Sequence, residues 1–206
     1  MPIRNRRAAA LPAKLSRSWL LINAAKQEDF APGLASEADS VIFDLEASVP
    51  DDGKVAARAA VLEALNGGMT AWVRISPTSS PHWEDDVAAL SKAEGLRGVM
   101  LAETERPEQV TYTAMRLRAG TPVIALVESA LGVENATQIA SAPGTFRLAF
   151  GTNDFRKASA SPPTPWRWPM RGRVWSSPPV WAACRAPSTA RRRPMRRRPL
   201  SSKPAV

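Results

Sequence analysis

The chain has one cysteine, one histidine and one tyrosine in 206 residues, and it has no acidic residue after Asp154. The single Cys184 excludes an intrachain disulfide and any metal site built from several cysteines of this chain. No stretch approaches about 18 uninterrupted apolar residues, and the arginine-rich start lacks the apolar run of a secretory signal. These absences predict a cytoplasmic protein that does not enter a membrane.

The distribution of acidic residues divides the chain near Arg156. The first 155 residues contain 15 Lys and Arg against all 19 Asp and Glu, whereas the last 51 contain 13 Lys and Arg and no acid. The net charge of +9 therefore describes neither part. The first part has the composition of a slightly acidic α/β enzyme. Within it, residues 1–16 are predicted to be a disordered basic extension, with an organelle transit peptide as the alternative.

Short apolar runs recur through the first part, and each is too short and too continuous for an amphipathic helix. They predict buried parallel strands, about 25 residues apart, that alternate with Ala-rich helices. This alternation favours an α/β fold of the (β/α)₈ TIM barrel type, of which six strands are visible. The predicted strands are Trp19–Asn23, Ser40–Glu46, Ala71–Ser76, Arg97–Ala102, Pro122–Glu128 and Arg147–Gly151, and the predicted helices are Val55–Leu65, Trp83–Ala93 and Pro107–Leu117.

Charged residues interrupt these runs at the carboxyl ends of the strands. They are Asp44, Glu46, Arg74, Glu128 and Asp154. Because these strand ends share one rim of a (β/α) barrel, where active sites are built, we expect the five side chains to converge. Carboxylate oxygens with several waters suit Mg²⁺, and an arginine fork suits a substrate carboxylate or a developing enolate oxygen. Ordinary ion pairs at strand ends are the alternative explanation.

Five segments of the first part match, in order and in approximate spacing, the motifs of a known family. They are Arg17–Leu21, Asp39–Glu46 followed by Lys54 and Ala57-Arg58, Val73–Ile75, Ala125–Ala130 and Leu148–Phe155. Over residues 17–155 the chain therefore resembles the HpcH/HpaI aldolase and citrate lyase beta-subunit family. The resemblance implies a (β/α)₈ barrel that uses Mg²⁺ to make or break a carbon–carbon bond in acyl-CoA or 2-oxoacid substrates. It also implies a homo-oligomer for the intact parent protein.

The resemblance assigns roles to the five rim residues. Glu128 and Asp154 match the metal-binding carboxylates, and Glu128 is also a candidate for substrate binding. Arg74 matches the substrate-binding arginine, and Asp44 and Glu46 match an acidic motif near the site, so these three are the catalytic candidates. The implied reaction is a retro-Claisen or retro-aldol cleavage, in which a base removes a hydroxyl proton and the acyl-CoA leaves as an enolate. No residue of the sequence stands out as that base.

The chain departs from the family's pattern at two places. It has Ala47 where many members carry an acid, and Ala102-Glu103 where many carry Pro-Lys. These differences concern substrate choice more than metal binding. They favour a stand-alone CoA-ester lyase of the malyl-CoA or citramalyl-CoA type over a subunit of a citrate lyase complex.

Residues 156–206 contain ten prolines, four of the seven tryptophans and two runs of three arginines. If residues 156–206 are translated in the correct frame, their composition indicates a non-catalytic protein whose disordered tail binds nucleic acid through phosphate contacts and base stacking. We favour a lost reading frame, because the codons of Pro165–Thr189 permit, in another frame, a string that resembles the family's A-x-x-R-S-R-L-V-x-A-S-R and L-P-x-P-I-D segment. Nucleic acid is then not the expected partner. The barrel would be truncated after its sixth strand, so we expect an unstable chain with little activity.

Overall fold

The computed structural model describes residues 11–158 of the chain. These residues form one six-stranded sheet in which the strands follow one another in chain order, and every pairing is parallel. The strands are β1 (Trp19–Asn23), β2 (Ser40–Asp44), β3 (Ala71–Ile75), β4 (Leu96–Leu101), β5 (Val123–Val127) and β6 (Thr145–Phe150).

Helices connect successive strands and cover one face of the sheet. The α-helices are α1 (Phe30–Leu34), α2 (Lys54–Asn66), α3 (Trp83–Leu90), α4 (Pro107–Arg116), α5 (Ala130–Glu134), α6 (Ala136–Ser141) and α7 (Thr152–Ala158). Short 3₁₀ helices cover Ala13–Leu15, Gln27–Asp29 and Asp51–Gly53. None of the helices in this part of the chain is both long enough and apolar enough to cross a bilayer.

The predicted parallel α/β architecture is confirmed, and all six predicted strands are present within one or two residues of their predicted bounds. The three predicted helices correspond to α2, α3 and α4. The short helices α1, α5 and α6 were not predicted, because five or six residues are too few to show a helical apolar period. β2 ends at Asp44 rather than Glu46, since the Asp44 carboxylate accepts the Glu46 N–H and turns the backbone away from the sheet.

The central strands β2 to β5 are largely buried on both faces, which explains their continuous apolar runs, whereas the edge strands β1 and β6 are partly exposed. The outer face packs against the helices, where Phe30 of α1 stacks on Phe43 of β2 with ring centroids 4.1 Å apart. The inner face forms a second, smaller cluster. That inner cluster contains Ile42, Trp72, Met100, Ile124 and Leu126.

Residues 11–16, which the sequence analysis assigned to a disordered extension, instead contact the amino end of the sheet. Arg147 donates hydrogen bonds to the carbonyls of Lys14 and Ser16, and the Ser16 hydroxyl lies 2.8 Å from that of Ser40. Ala13 packs against the inner cluster. Arg147, which holds this segment, is 131 residues away from Ser16 in the sequence, so no local sequence pattern predicts the contact.

Residues 1–10 and 159–206 lie outside the described residues. The disordered basic tail, the truncation after the sixth strand and the lost reading frame therefore stay predictions. The predicted boundary between residues 155 and 156 falls inside α7 and coincides with no end of a helix or strand.

Candidate active site

The five rim residues predicted from the sequence all lie at the carboxyl end of the parallel sheet. Asp44 is the last residue of β2 and is the register partner of Arg74 in β3. Glu128 directly follows β5, and Asp154 lies in the first turn of α7, just after β6. Strand direction alone thus gathers at one edge residues that are up to 110 positions apart. Asp44, Glu46 and Arg74 are in direct contact, whereas within residues 11–158 Glu128 and Asp154 form no hydrogen bond or ion pair with that group.

Arg74 is held by two carboxylates. Its Nε and Nη2 donate to the two oxygens of Asp44 at 2.7 Å each, and its Nη1 lies 3.2 Å from Glu46 Oε2. Burial lowers the pKa of Arg74, but the hydrogen bond and charge of Asp44 outweigh that effect and leave the pKa raised. A guanidinium has five N–H groups, so about two remain beyond the pair given to Asp44 and the one directed at Glu46. The arginine is therefore charged, oriented and still able to bind an anion.

The Asp44 carboxylate is fully occupied. Besides Arg74, it accepts the backbone N–H of Glu46 at 2.9 Å and that of Ser48 at 3.2 Å. Burial raises the pKa of Asp44, but these hydrogen bonds and the charge of Arg74 leave it below the ordinary value. A carboxylate with four donors and a lowered pKa is suited to orienting Arg74 and poorly suited to removing a proton.

Glu128 is the opposite case. The residue is 5% exposed, and among residues 11–158 its carboxylate forms no hydrogen bond or ion pair, although its oxygens are not among the fully enclosed polar atoms. Burial, followed by the negative charges of Asp154 and Glu46, raises the pKa of Glu128 to about 7, and the charge of Arg74 offsets this only in part. A buried carboxylate without a hydrogen-bond or charge partner is costly to ionise, so a bound cation would stabilise the ionised form of Glu128.

The Glu128 carboxylate lies against Gly151, which follows β6. A Cβ atom at Gly151 would stand 2.5 Å from Glu128 Oε1 and 2.6 Å from its Cγ, so any larger residue would displace the acid. Asp154 lies three residues further on and is more exposed, with Lys157 Nζ at 2.7 Å from its Oδ1. The glycine and the first turn of α7 therefore bring a second carboxylate to the side of Glu128.

The residues present fit Mg²⁺. In the part of the chain that the structure describes, no three His, Cys, Asp or Glu side chains are grouped so that they hold a metal by themselves. Magnesium commonly takes one or two protein carboxylates and completes its shell with water and substrate oxygens. Glu128, which is buried and has no ion-pair partner among residues 11–158, and Asp154, which is bonded to an exposed lysine, suit that mode.

Glu103, at one of the departures from the family pattern, has an unusual backbone. It follows β4 and, within residues 11–158, it alone among non-glycine residues has positive φ, at 45°. Its carboxylate adds to the negative charge around Glu128 and contributes to the raised pKa of that acid. The rim is therefore more acidic than it would be with the lysine that many family members carry at this position.

Sequence reasoning missed the buried residues that support the rim. Lys54 and Arg58 belonged to a motif that carried the resemblance but had no role, although both are less than 9% exposed. Asp86, which is 1% exposed in α3, had no signal at all because three acids in a row at a helix start predict a solvated first turn. A lysine or arginine within the apolar face of a helix, as at Lys54 and Arg58, is the sequence signal that indicates a buried side chain supporting the rim.

The model of the HpcH/HpaI aldolase/citrate lyase family matches residues 17–165 of the chain. A (3S)-malyl-CoA thioesterase of Cereibacter sphaeroides is 32% identical over 151 residues, which cover 70% of this chain and 52% of the relative. An L-malyl-CoA/beta-methylmalyl-CoA lyase of the same species is 30% identical over 164 residues, which cover 71% and 51%. The chain therefore spans about half the length of the curated relatives it matches.

A solved structure with the same architecture is the citrate lyase beta subunit of M. tuberculosis complexed with oxaloacetate and magnesium. It superposes with a TM-score of 0.60 at 32% identity, covering 71% of this chain and 63% of that one.

Proposed function

Because the chain belongs to the HpcH/HpaI aldolase/citrate lyase family, we propose that its carboxyl rim serves Mg²⁺-dependent cleavage, or formation, of the carbon–carbon bond of a 3-hydroxyacyl-CoA. The products of cleavage are an acyl-CoA and a 2-oxoacid. The observation that carries this proposal is the buried, unpaired carboxylate of Glu128 beside the oriented guanidinium of Arg74. The relatives named for malyl-CoA and the magnesium-bound neighbour support it.

Each rim residue has a part in this proposal. Glu128 and Asp154 hold the metal ion, which when bound supplies a Lewis acid for the substrate oxygens. Arg74 binds the carboxylate of the 2-oxoacid portion with the N–H groups that Asp44 leaves free. Asp44 and Glu46 keep Arg74 charged and aimed into the site. These placements position charge where it develops during the reaction.

The bond changes follow from the products. A base removes the proton of the substrate hydroxyl, whose electron pair becomes the second bond of the new keto group. The carbon–carbon bond breaks, and its electron pair leaves with the acyl-CoA as an enolate, which is then protonated. Asp44 is a poor base because its oxygens are occupied.

The proposal is tested by incubating the chain with malyl-CoA and Mg²⁺ and separating the CoA products. Acetyl-CoA and glyoxylate would show a lyase, whereas free CoA and malate would show the thioesterase activity for which one relative is named. Glu128→Gln and Asp154→Asn should each abolish the Mg²⁺-dependent product, and Glu134→Gln, at an exposed position of α5, should not. Cleavage that survives both rim variants contradicts the proposal.

We also propose that residues 17–155 form the lyase unit and that the reading frame changes beyond it. The family match ends at residue 165, where the string permitted by the other frame begins. Sequencing the gene across codons 150–165 tests this, and the other frame should encode the family segment. A gene in which no other frame encodes that segment, or salt-sensitive RNA binding lost on deleting residues 156–206, would contradict it. A homo-oligomer for the intact parent stays a prediction.

A further inference from the structure

Two cationic residues, Lys54 and Arg58, lie four positions apart on α2 and are both buried. Residues at this spacing share one side of a helix. Neither faces the rim directly, and neither has a part in the proposed reaction. The hydrogen bonds of Lys54 end on the backbone after β2, and that of Arg58 reaches the backbone after β3 through the Asp86 carboxylate.

Lys54 holds the turn that follows β2. Its Nζ donates to the carbonyls of Leu45 at 2.9 Å and of Glu46 at 3.0 Å. The N–H groups of the same turn contact the rim arginine and the carboxylate that holds it. Leu45 N–H donates to the carbonyl of Arg74 at 2.9 Å, and Glu46 N–H donates to the Asp44 carboxylate. One ammonium group therefore fixes the backbone that carries both carboxylates of the arginine clamp.

Arg58 acts on the other side, at the carboxyl end of β3. Its Nε donates to Asp86 Oδ1 at 2.8 Å, and Asp86 Oδ2 accepts the backbone N–H of Ser76 at 3.1 Å. Ser76 is two residues beyond Arg74. The helix α2 thus fixes β2 directly and β3 through Asp86 of α3.

Burial of these cations is costly for stability alone. Lys54 is 7% exposed, and within residues 11–158 its ammonium group donates to two neutral carbonyls and not to a carboxylate. An apolar residue of similar length would fill the same space without the cost of desolvating an ammonium group. A requirement to hold the turn after β2 in one conformation accounts for the lysine.

We propose that Lys54 and Arg58 are positioning residues, which set the orientation of Arg74 by tying the carboxyl ends of β2 and β3 to one helix. This inference rests on the proposed function, in which Arg74 binds a 2-oxoacid. It adds to that function the requirement that the arginine be fixed from the backbone side, away from the substrate.

The test compares Lys54→Met with Lys92→Met, an exposed lysine after α3, in the full chain. Hydrogen exchange measured by NMR or mass spectrometry reports on the Leu45 and Glu46 amides without any ligand. We expect Lys54→Met to speed their exchange about tenfold and Lys92→Met to leave it unchanged. In the presence of Mg²⁺, Lys54→Met should weaken pyruvate binding about tenfold, while Mn²⁺ binding without pyruvate stays within about twofold.

A double-mutant cycle separates positioning from general stability. In an Arg74→Met background, Lys54→Met should cost no further pyruvate affinity, because the group through which it acts is gone. Arg58→Lys, which keeps the charge but shortens the reach to Asp86, should speed exchange of the Ser76 amide and provides a second variant if Lys54→Met does not fold.

The outcomes separate the two claims. Unchanged exchange at Leu45, Glu46 and Ser76, or additive losses of pyruvate affinity in the cycle, overturn the positioning role. If exchange rises but the unmutated chain binds no pyruvate, or Arg74→Met leaves pyruvate binding unchanged, the proposed function fails and the backbone-holding role stands.

Discussion

Arg74 and Arg147 are equally buried, at 9% exposure each, but they lie at opposite ends of the sheet in opposite surroundings. Arg74, at the carboxyl end, faces the carboxylates of Asp44 and Glu46. Arg147, near the amino end, donates to two backbone carbonyls and lies over the rings of Trp19 and Phe146, at 5.4 and 5.5 Å from their centroids. The same residue type thus contributes to a charged site at the carboxyl end, through Arg74, and to packing at the amino end, through Arg147.

The pKa shifts of the two arginines have opposite signs. Burial lowers the pKa of Arg147, and no carboxylate compensates. Burial also lowers the pKa of Arg74, but the hydrogen bond and charge of Asp44 raise it further than burial lowers it. In (β/α) barrels the carboxyl face carries the chemistry and the amino face carries stability, and these two arginines follow that division.

The largest expected effect is on anion binding at the carboxyl end. Arg74→Met should weaken pyruvate binding in the presence of Mg²⁺ about 100-fold, because a charge-assisted bidentate contact is lost. Arg147→Met should leave that affinity unchanged. Calorimetric titration of both variants checks the comparison, and equal losses in the two would break it.

At the amino end the expected effect is on stability. Arg147→Met should lower the free energy of unfolding by about 2 kcal/mol, since the carbonyls of Lys14 and Ser16 lose their buried donor. Urea denaturation measures this, with Arg118→Met as a control for an exposed arginine that donates to one carbonyl. A stability loss confined to the control would show that residues 11–16 do not depend on Arg147.

The pH dependence of stability should reveal Glu128. Because burial raises the pKa of Glu128 from 4.5 to about 7, the folded chain retains a proton that the unfolded chain releases. Stability without metal should therefore fall as pH rises from 4.5 to about 7 and then level off, and excess Mg²⁺ should offset the loss. Urea denaturation of the unmutated chain and of Glu128→Gln isolates this contribution, and identical pH profiles would contradict it.

A smaller effect is expected from the glycine beside Glu128. Gly151→Ala places a methyl group against the Glu128 carboxylate and should weaken Mn²⁺ binding about fivefold. Gly53→Ala is the control, since a Cβ there meets Val49 at an ordinary 3.4 Å. Electron paramagnetic resonance titration with Mn²⁺ compares the two, and equal affinities would remove Gly151 from the site.

The sequence predicted the rim well because strand periodicity and strand direction are local properties. Asp44, Arg74 and Glu128 each end or nearly end an apolar run, and parallel strands bring such ends together. It did not separate the roles of the acids. Asp44 and Glu128 stand in similar sequence contexts, yet one is saturated with donors and the other has none, because the neighbours that decide this come from other strands and helices.

By itself, then, the sequence determined the order of strands and helices, the parallel sheet and the edge at which charge collects. Only the tertiary structure decided that residues 11–16 pack on the amino end, that α2 holds the backbone around Arg74, and that Gly151 makes room for Glu128. The first set follows from periodicities of two to four residues along the chain. The second depends on contacts between residues 9 to 131 positions apart, whose partners no local pattern specifies.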